Sequence, residues 1–176
     1  MFFFEICYMR RFVEGSAEDL CRELWRLVDA QYGLRGTLCR LGTIELRFFT
    51  DPGRPHQQFP MLTTRVKAAE TRALVPIVAT IWNSLMNRRH EEDRRIDSML
   101  ANLATCYECL DDDSFRLPVR KQRLLEARYE RFALDYRWLC WDALRRLALR
   151  WHEVPKFHVG FHLVYQSRFM NPRFGW

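Results

Sequence analysis

Apolar positions recur along most of this chain at steps of three and four residues, the spacing that lines one face of an α-helix. The first such stripe is Leu20, Leu24, Leu27 and Val28. Ser16 ahead of it is a natural N-cap, and Glu18 and Asp19 sit where the positive end of a helix favours carboxylates. Gly33 can close the far end in the left-handed conformation, so a helix is predicted from about Ala17 to Tyr32. A second helical pattern runs from about Thr64 to Arg89, with Pro76 inside it to kink or split it. Past Pro76 the positions Ile77, Val78, Ile81, Trp82, Leu85 and Met86 cover a wide face, the mark of a well-buried segment. A third helix is predicted from about Glu91 to Leu110, with an acidic start and Asp111-Asp112-Asp113 as the loop that stops it.

The fourth pattern is the longest. Pro118 suits its first turn, no breaker follows before Pro155, and Leu125, Phe132, Tyr136, Leu139, Ala143 and Leu147 repeat at helical steps. Trp138, Trp141, Ala148 and Trp151 add a second apolar face to its later half, which predicts cover on two sides. A fifth helix, from about Phe157 to Arg168, follows Pro155 and ends before Asn171-Pro172. The stretch 34–62 is the least regular; within it Thr43 to Phe48 alternates as a short strand would.

The expected fold is therefore all-α, a helical bundle of about five helices with an irregular N-terminal third that leaves room for a short strand pair. Residues 1–62 form the irregular part with one helix, and 63–176 the bundle. Phe2-Phe3-Phe4 has no partner strand in view and the chain stops on Phe174-Gly175-Trp176, so the sequence reads as a fragment of a larger domain.

Composition narrows the class. A hydrophobic share of 48%, with 14% aromatic, is too high for a disordered chain, and seven Gly with seven Pro exclude a collagen-like one. No run approaches about 18 apolar residues, so no membrane partner is expected. The six cysteines are scattered among apolar residues, and the apolar start precedes its arginines, the reverse of a secretory signal. Free, mostly buried thiols and an intracellular location follow.

Few side chains carry chemistry. His158 and His162 lie one helical turn apart and can grip one zinc ion, with His152 and Glu153 upstream as further ligands. A zinc protease needs Glu after the first His, where this chain has Val159, so satisfied structural histidines are the simpler reading. Cys106-Tyr107-Glu108-Cys109 is a lone CxxC in a helical pattern, read as core. No phosphate-cradling glycine loop or nucleophile elbow is present, and no complete catalytic constellation, so the reading leans away from an enzyme.

The charge balance is 28 Lys+Arg against 22 Asp+Glu. Arg120, Lys121, Arg123, Arg128 and Arg131 make the first half of the fourth helix basic, opposed only by Glu126 and Glu130, and this is the best surface for phosphate contact. A solvated face with local ion pairs is the simpler explanation, and only Lys67, Lys121 and Lys156 are lysines, an arginine skew that GC-rich coding also produces.

The C-terminal stretch reads Pro155-Lys156-Phe157-His158, His162-Leu163, Gln166-Ser167-Arg168, Asn171-Pro172-Arg173 and Trp176. It resembles the late segment of transposase-like mobile-element proteins, in which a Pro-Lys-x-His…His-Leu helix precedes an Asn-Pro-Arg-like turn, an aromatic and an acidic cluster. The resemblance implies an RNase H-like protein with a helical insertion, the last catalytic carboxylate lying beyond Trp176, and a nuclear location. It marks Lys156, His158, His162 and Arg173 as functional positions, with Lys156 and Arg173 as further nucleic-acid-binding candidates. Two readings stand: a non-catalytic helical segment that contacts DNA, or a structural module that binds a protein partner or other parts of a larger polypeptide.

Overall fold

The structure, a computed structural model, describes residues 14–45, 68–148, 151 and 156–174. Among these it is all-helical: α1 (Ala17–Arg35), α2 (Ala68–Leu85), α3 (Glu91–Leu110), α4 (Val119–Arg145), α5 (Lys156–Gln166) and a 3-10 turn at Pro172–Phe174. No strand occurs among the described residues. Thr43 to Glu45 is irregular, while the rest of the expected strand, the Phe2–Phe4 run and the expected boundary near residue 62 lie outside them. The chain forms two compact units, one of Met1–Leu85 with Ala143–His152, the other of Met86–Asp142 with Glu153–Trp176.

In the first unit, α1 opens on a capping box. The Asp19 amide donates to Ser16 Oγ at 3.2 Å, and the Ser16 amide donates to the Asp19 carboxylate at 2.9 Å. The helix runs three residues beyond the expected end, through Gly33, and closes at Gly36, whose φ of 61° is left-handed and whose amide donates to the Tyr32 carbonyl. Leu20, Leu24, Val28 and Tyr32 are buried, as are Leu74, Ile77, Val78, Ile81 and Trp82 of α2. Arg35 ties the two helices by donating to Thr80 Oγ1 at 2.8 Å. Pro76 does not split α2: the helix continues through it, with Thr80 Oγ1 donating to the Pro76 carbonyl at 3.0 Å.

The second unit is built on α3, most of α4, and α5. Ile96, Met99, Leu100, Leu125, Tyr136 and Leu139 are buried, and Cys106, Cys109, Leu117, Leu125 and Val164 form one continuous apolar cluster. The expected course of the fourth helix requires correction. It ends at Arg145 rather than running toward Pro155, because Leu147 takes a φ of 53°. The Ala148 amide then donates to the Ala143 carbonyl at 2.8 Å and the Leu147 amide to Leu144 at 3.0 Å, a Schellman closure without its usual glycine. Nor is the later half covered on two sides: Trp141 is 60% exposed, and Trp151 is not on the helix at all. Trp138 is half-buried, with the Arg95 guanidinium 5.3 Å over its ring.

A polar seam joins α3 to α4. The Asp135 carboxylate, fully buried, accepts from Arg95 at 2.8 Å and from the Ser98 hydroxyl at 2.6 Å, and pairs with Arg131 at 3.1 Å. Arg95 also reaches Glu91 at 3.2 Å. These partners meet the rule that a buried charge is tolerated only when paired and hydrogen-bonded.

Candidate nucleic-acid interface

The basic stretch of the sequence becomes the first turns of α4. The buried Leu117 anchors the approach, and Gln122 closes the first turn: its amide donates to the Pro118 carbonyl at 3.0 Å and its side chain to the Leu117 carbonyl at 2.7 Å. No carboxylate lies in that turn. Arg120, Lys121 and Arg123 instead crowd the positive end of the helix dipole, where cations are unfavourable and an anion is stabilised.

The five expected cations divide into two groups. Lys121 pairs with Asp112 at 2.7 Å, Arg128 donates to Asn102 Oδ1 at 3.3 Å, and Arg131 pairs with the buried Asp135. These three are engaged in holding the unit together. Arg120 and Arg123 are exposed, and among the described residues no ion pair or hydrogen bond engages them. Three residues apart on a helix, they are neighbours on one face. Arg116, exposed and equally unengaged among the described residues, stands four positions before Arg120.

The acidic loop after α3 is exposed at Asp111 and Asp113 and also serves as an anchor. Asp112 accepts from Lys121, and at 2.8 Å from the Ser114 amide; these donors hold its carboxyl well below the usual carboxylate range. The expected functional position Arg173 donates to Asp113 Oδ1 at 2.7 Å and to the Asp111 carbonyl at 3.2 Å. Asn171 is fully buried; its side chain donates to the Asp112 carbonyl at 2.8 Å, and its amide to the Phe115 carbonyl at 2.6 Å. The Asn171-Pro172-Arg173 turn is thus the clasp that fixes the 111–115 loop just before α4.

Of the expected histidine ligands, His162 alone is described together with its side chain. His162 is exposed on α5; Lys156 and His158 lie on the same helix, but their side chains fall outside the described set, as does the whole of His152. No group of three His, Cys, Asp or Glu able to hold a metal occurs among the described residues. Gly160, between the two histidines, has a clear packing role. A Cβ there would lie 1.7 Å from Tyr129 Oη and 2.4 Å from its Cζ, so only glycine lets α5 approach α4 so closely. Burial pushes the Cys106 thiol up to about 12 and raises that of Cys109, which makes the CxxC pair inert core thiols at neutral pH.

Two features escaped the reading of the sequence. One is Arg116, which precedes the helix and whose only signal is its four-residue spacing from Arg120. The other is Phe161, Tyr165 and Phe169, an aromatic at every fourth residue, all of them exposed. Among the described residues no helix is long and apolar enough to cross a membrane. No family model matches the sequence, and neither curated proteins nor solved structures give a match. The transposase-like resemblance therefore rests on residues 155–176 alone.

Proposed function

We propose that this chain is a non-catalytic helical segment of a transposase-like protein that contacts the DNA backbone through Arg116, Arg120 and Arg123. The observation that carries this reading is their lack of any partner among the described residues, while the neighbouring Lys121, Arg128 and Arg131 are all engaged. An unpaired guanidinium is the form suited to bidentate phosphate contact, and each phosphate neutralised releases counterions. The positive end of α4 adds to the same field. The nuclear location goes with the transposase-like reading. A second reading, a protein-interaction module, is favoured by Leu134 and Trp141, which are 59% and 60% exposed and stand two turns apart on α4.

The test is binding of the full chain to duplex DNA at low salt, compared with Arg116→Ala/Arg120→Ala/Arg123→Ala. The triple variant should fold normally and lose more than about tenfold in affinity. Equal binding by both proteins, or by neither, contradicts the proposal.

A further inference from the structure

The exposed aromatics deepen that reading, on which this inference rests. Tyr165 is 55% and Phe169 60% exposed, and their rings meet edge to face at 5.7 Å. The Arg168 guanidinium lies 5.4 Å over the Tyr165 ring, and its Nε donates to Glu126 of α4 at 2.9 Å. Glu126 follows Arg123 by three residues, so Arg168, which lies between the two rings in sequence, is tied to α4 one helical turn from an unengaged cation. At its other end the clasp brings Asn171 onto the carbonyl of Phe115, itself 62% exposed and adjacent in the chain to Arg116. Aromatic rings and unengaged arginines therefore share one edge of the second unit.

A protein that meets only the backbone of a duplex gains nothing from exposed rings, because the base faces are stacked away. Rings interleaved with cations gain when bases are unpaired and can stack on them while the arginines follow the phosphates. We infer that this edge binds single-stranded nucleic acid, with Tyr165 and Phe169 as stacking platforms and Arg116, Arg120 and Arg123 on the backbone. The charge is complementary to a polyanion, whereas a purely apolar partner would leave the arginines facing it without counter-charge.

The experiment titrates the full chain with fluorescein-labelled oligo(dT) and with a mixed-sequence duplex of equal length, at one low salt concentration. Oligo(dT) should bind more tightly. Tyr165→Ala and Phe169→Ala should each weaken it by roughly five- to a hundredfold and leave duplex affinity unchanged, while Tyr165→Phe, which keeps the ring, should bind as the unmodified chain does. Arg120→Ala/Arg123→Ala should weaken both probes. Equal affinity for the two probes, with inert aromatic variants, overturns this inference and leaves the phosphate contact standing. Failure to bind either probe overturns the phosphate contact as well.

Discussion

Asn171 donates its side-chain amide to the backbone carbonyl of Asp112 at 2.8 Å, across 59 residues of chain. The same nitrogen faces the carbonyls of Leu110 at 3.4 Å and Ser114 at 3.5 Å, while Asn171 Oδ1 accepts the Arg173 amide at 3.1 Å. One fully buried amide thus satisfies both the end of α3 and the loop that leads into α4. Asn171→Ala should cost about 1–3 kcal/mol, because it leaves part-buried carbonyls without a donor. Asn171→Asp, which sets an acceptor against acceptors, should cost more. Chemical denaturation of the two variants checks the order; equal and small losses would show that the clasp is dispensable.

Gly160 and Tyr129 make a second prediction. Gly160→Ala forces a methyl into the Tyr129 ring and should destabilise by about 1–3 kcal/mol. Combining it with Tyr129→Leu, which vacates the space, should cost clearly less than the two single losses added together. Strict additivity in a double-mutant cycle would mean that the two residues do not meet.

The Asp135 seam distinguishes buried from exposed charge. Asp135→Ala removes the shared partner of Arg95, Ser98 and Arg131 and should cost about 2–4 kcal/mol. Arg131→Ala, whose side chain is half exposed, should cost no more than about 1 kcal/mol. Denaturant midpoints at constant m-value test both. Similar losses for the two would contradict a buried, desolvated Asp135.

Asp112 and Lys121 set a pH dependence. The folded carboxyl lies below its ordinary 3.8, so its contribution is complete above that value and is lost as pH falls through the lower folded value. Lys121, held by Asp112, lies above its ordinary 10.5; its contribution is complete below that pH and is lost as pH rises through the higher folded value. Asp112→Asn should be less stable than the unmodified chain at neutral pH, with the difference shrinking below pH 3.8. Thermal melts across the acid range provide the check, and a difference that stays constant there would assign the loss to something other than charge.

Legibility in the sequence followed whether a signal was local. The bounds of α3, Glu91–Leu110, match expectation because acidic residues mark both of its ends. The end of α4 does not, because a leucine at Leu147 adopts the backbone conformation that a glycine would have announced. The first glycine after the α1 stripe, Gly33, proved to be interior, with Gly36 the true stop. Among the basic residues, Arg131 stands four positions before Asp135, a spacing that says nothing of the burial that makes Asp135 the centre of the seam. The partners of Lys121 and Arg128 sit 9 and 26 residues away, and no local pattern assigns them. Arg120 and Arg123 became distinct from their neighbours only once those distant partners were in place.

The most direct test of the phosphate contact is the salt dependence of duplex binding by the full, unmodified chain. Three phosphate contacts predict a plot of log affinity against log salt with a slope of about −3. A slope near zero would contradict the account, because binding would then owe nothing to the arginines at the start of α4.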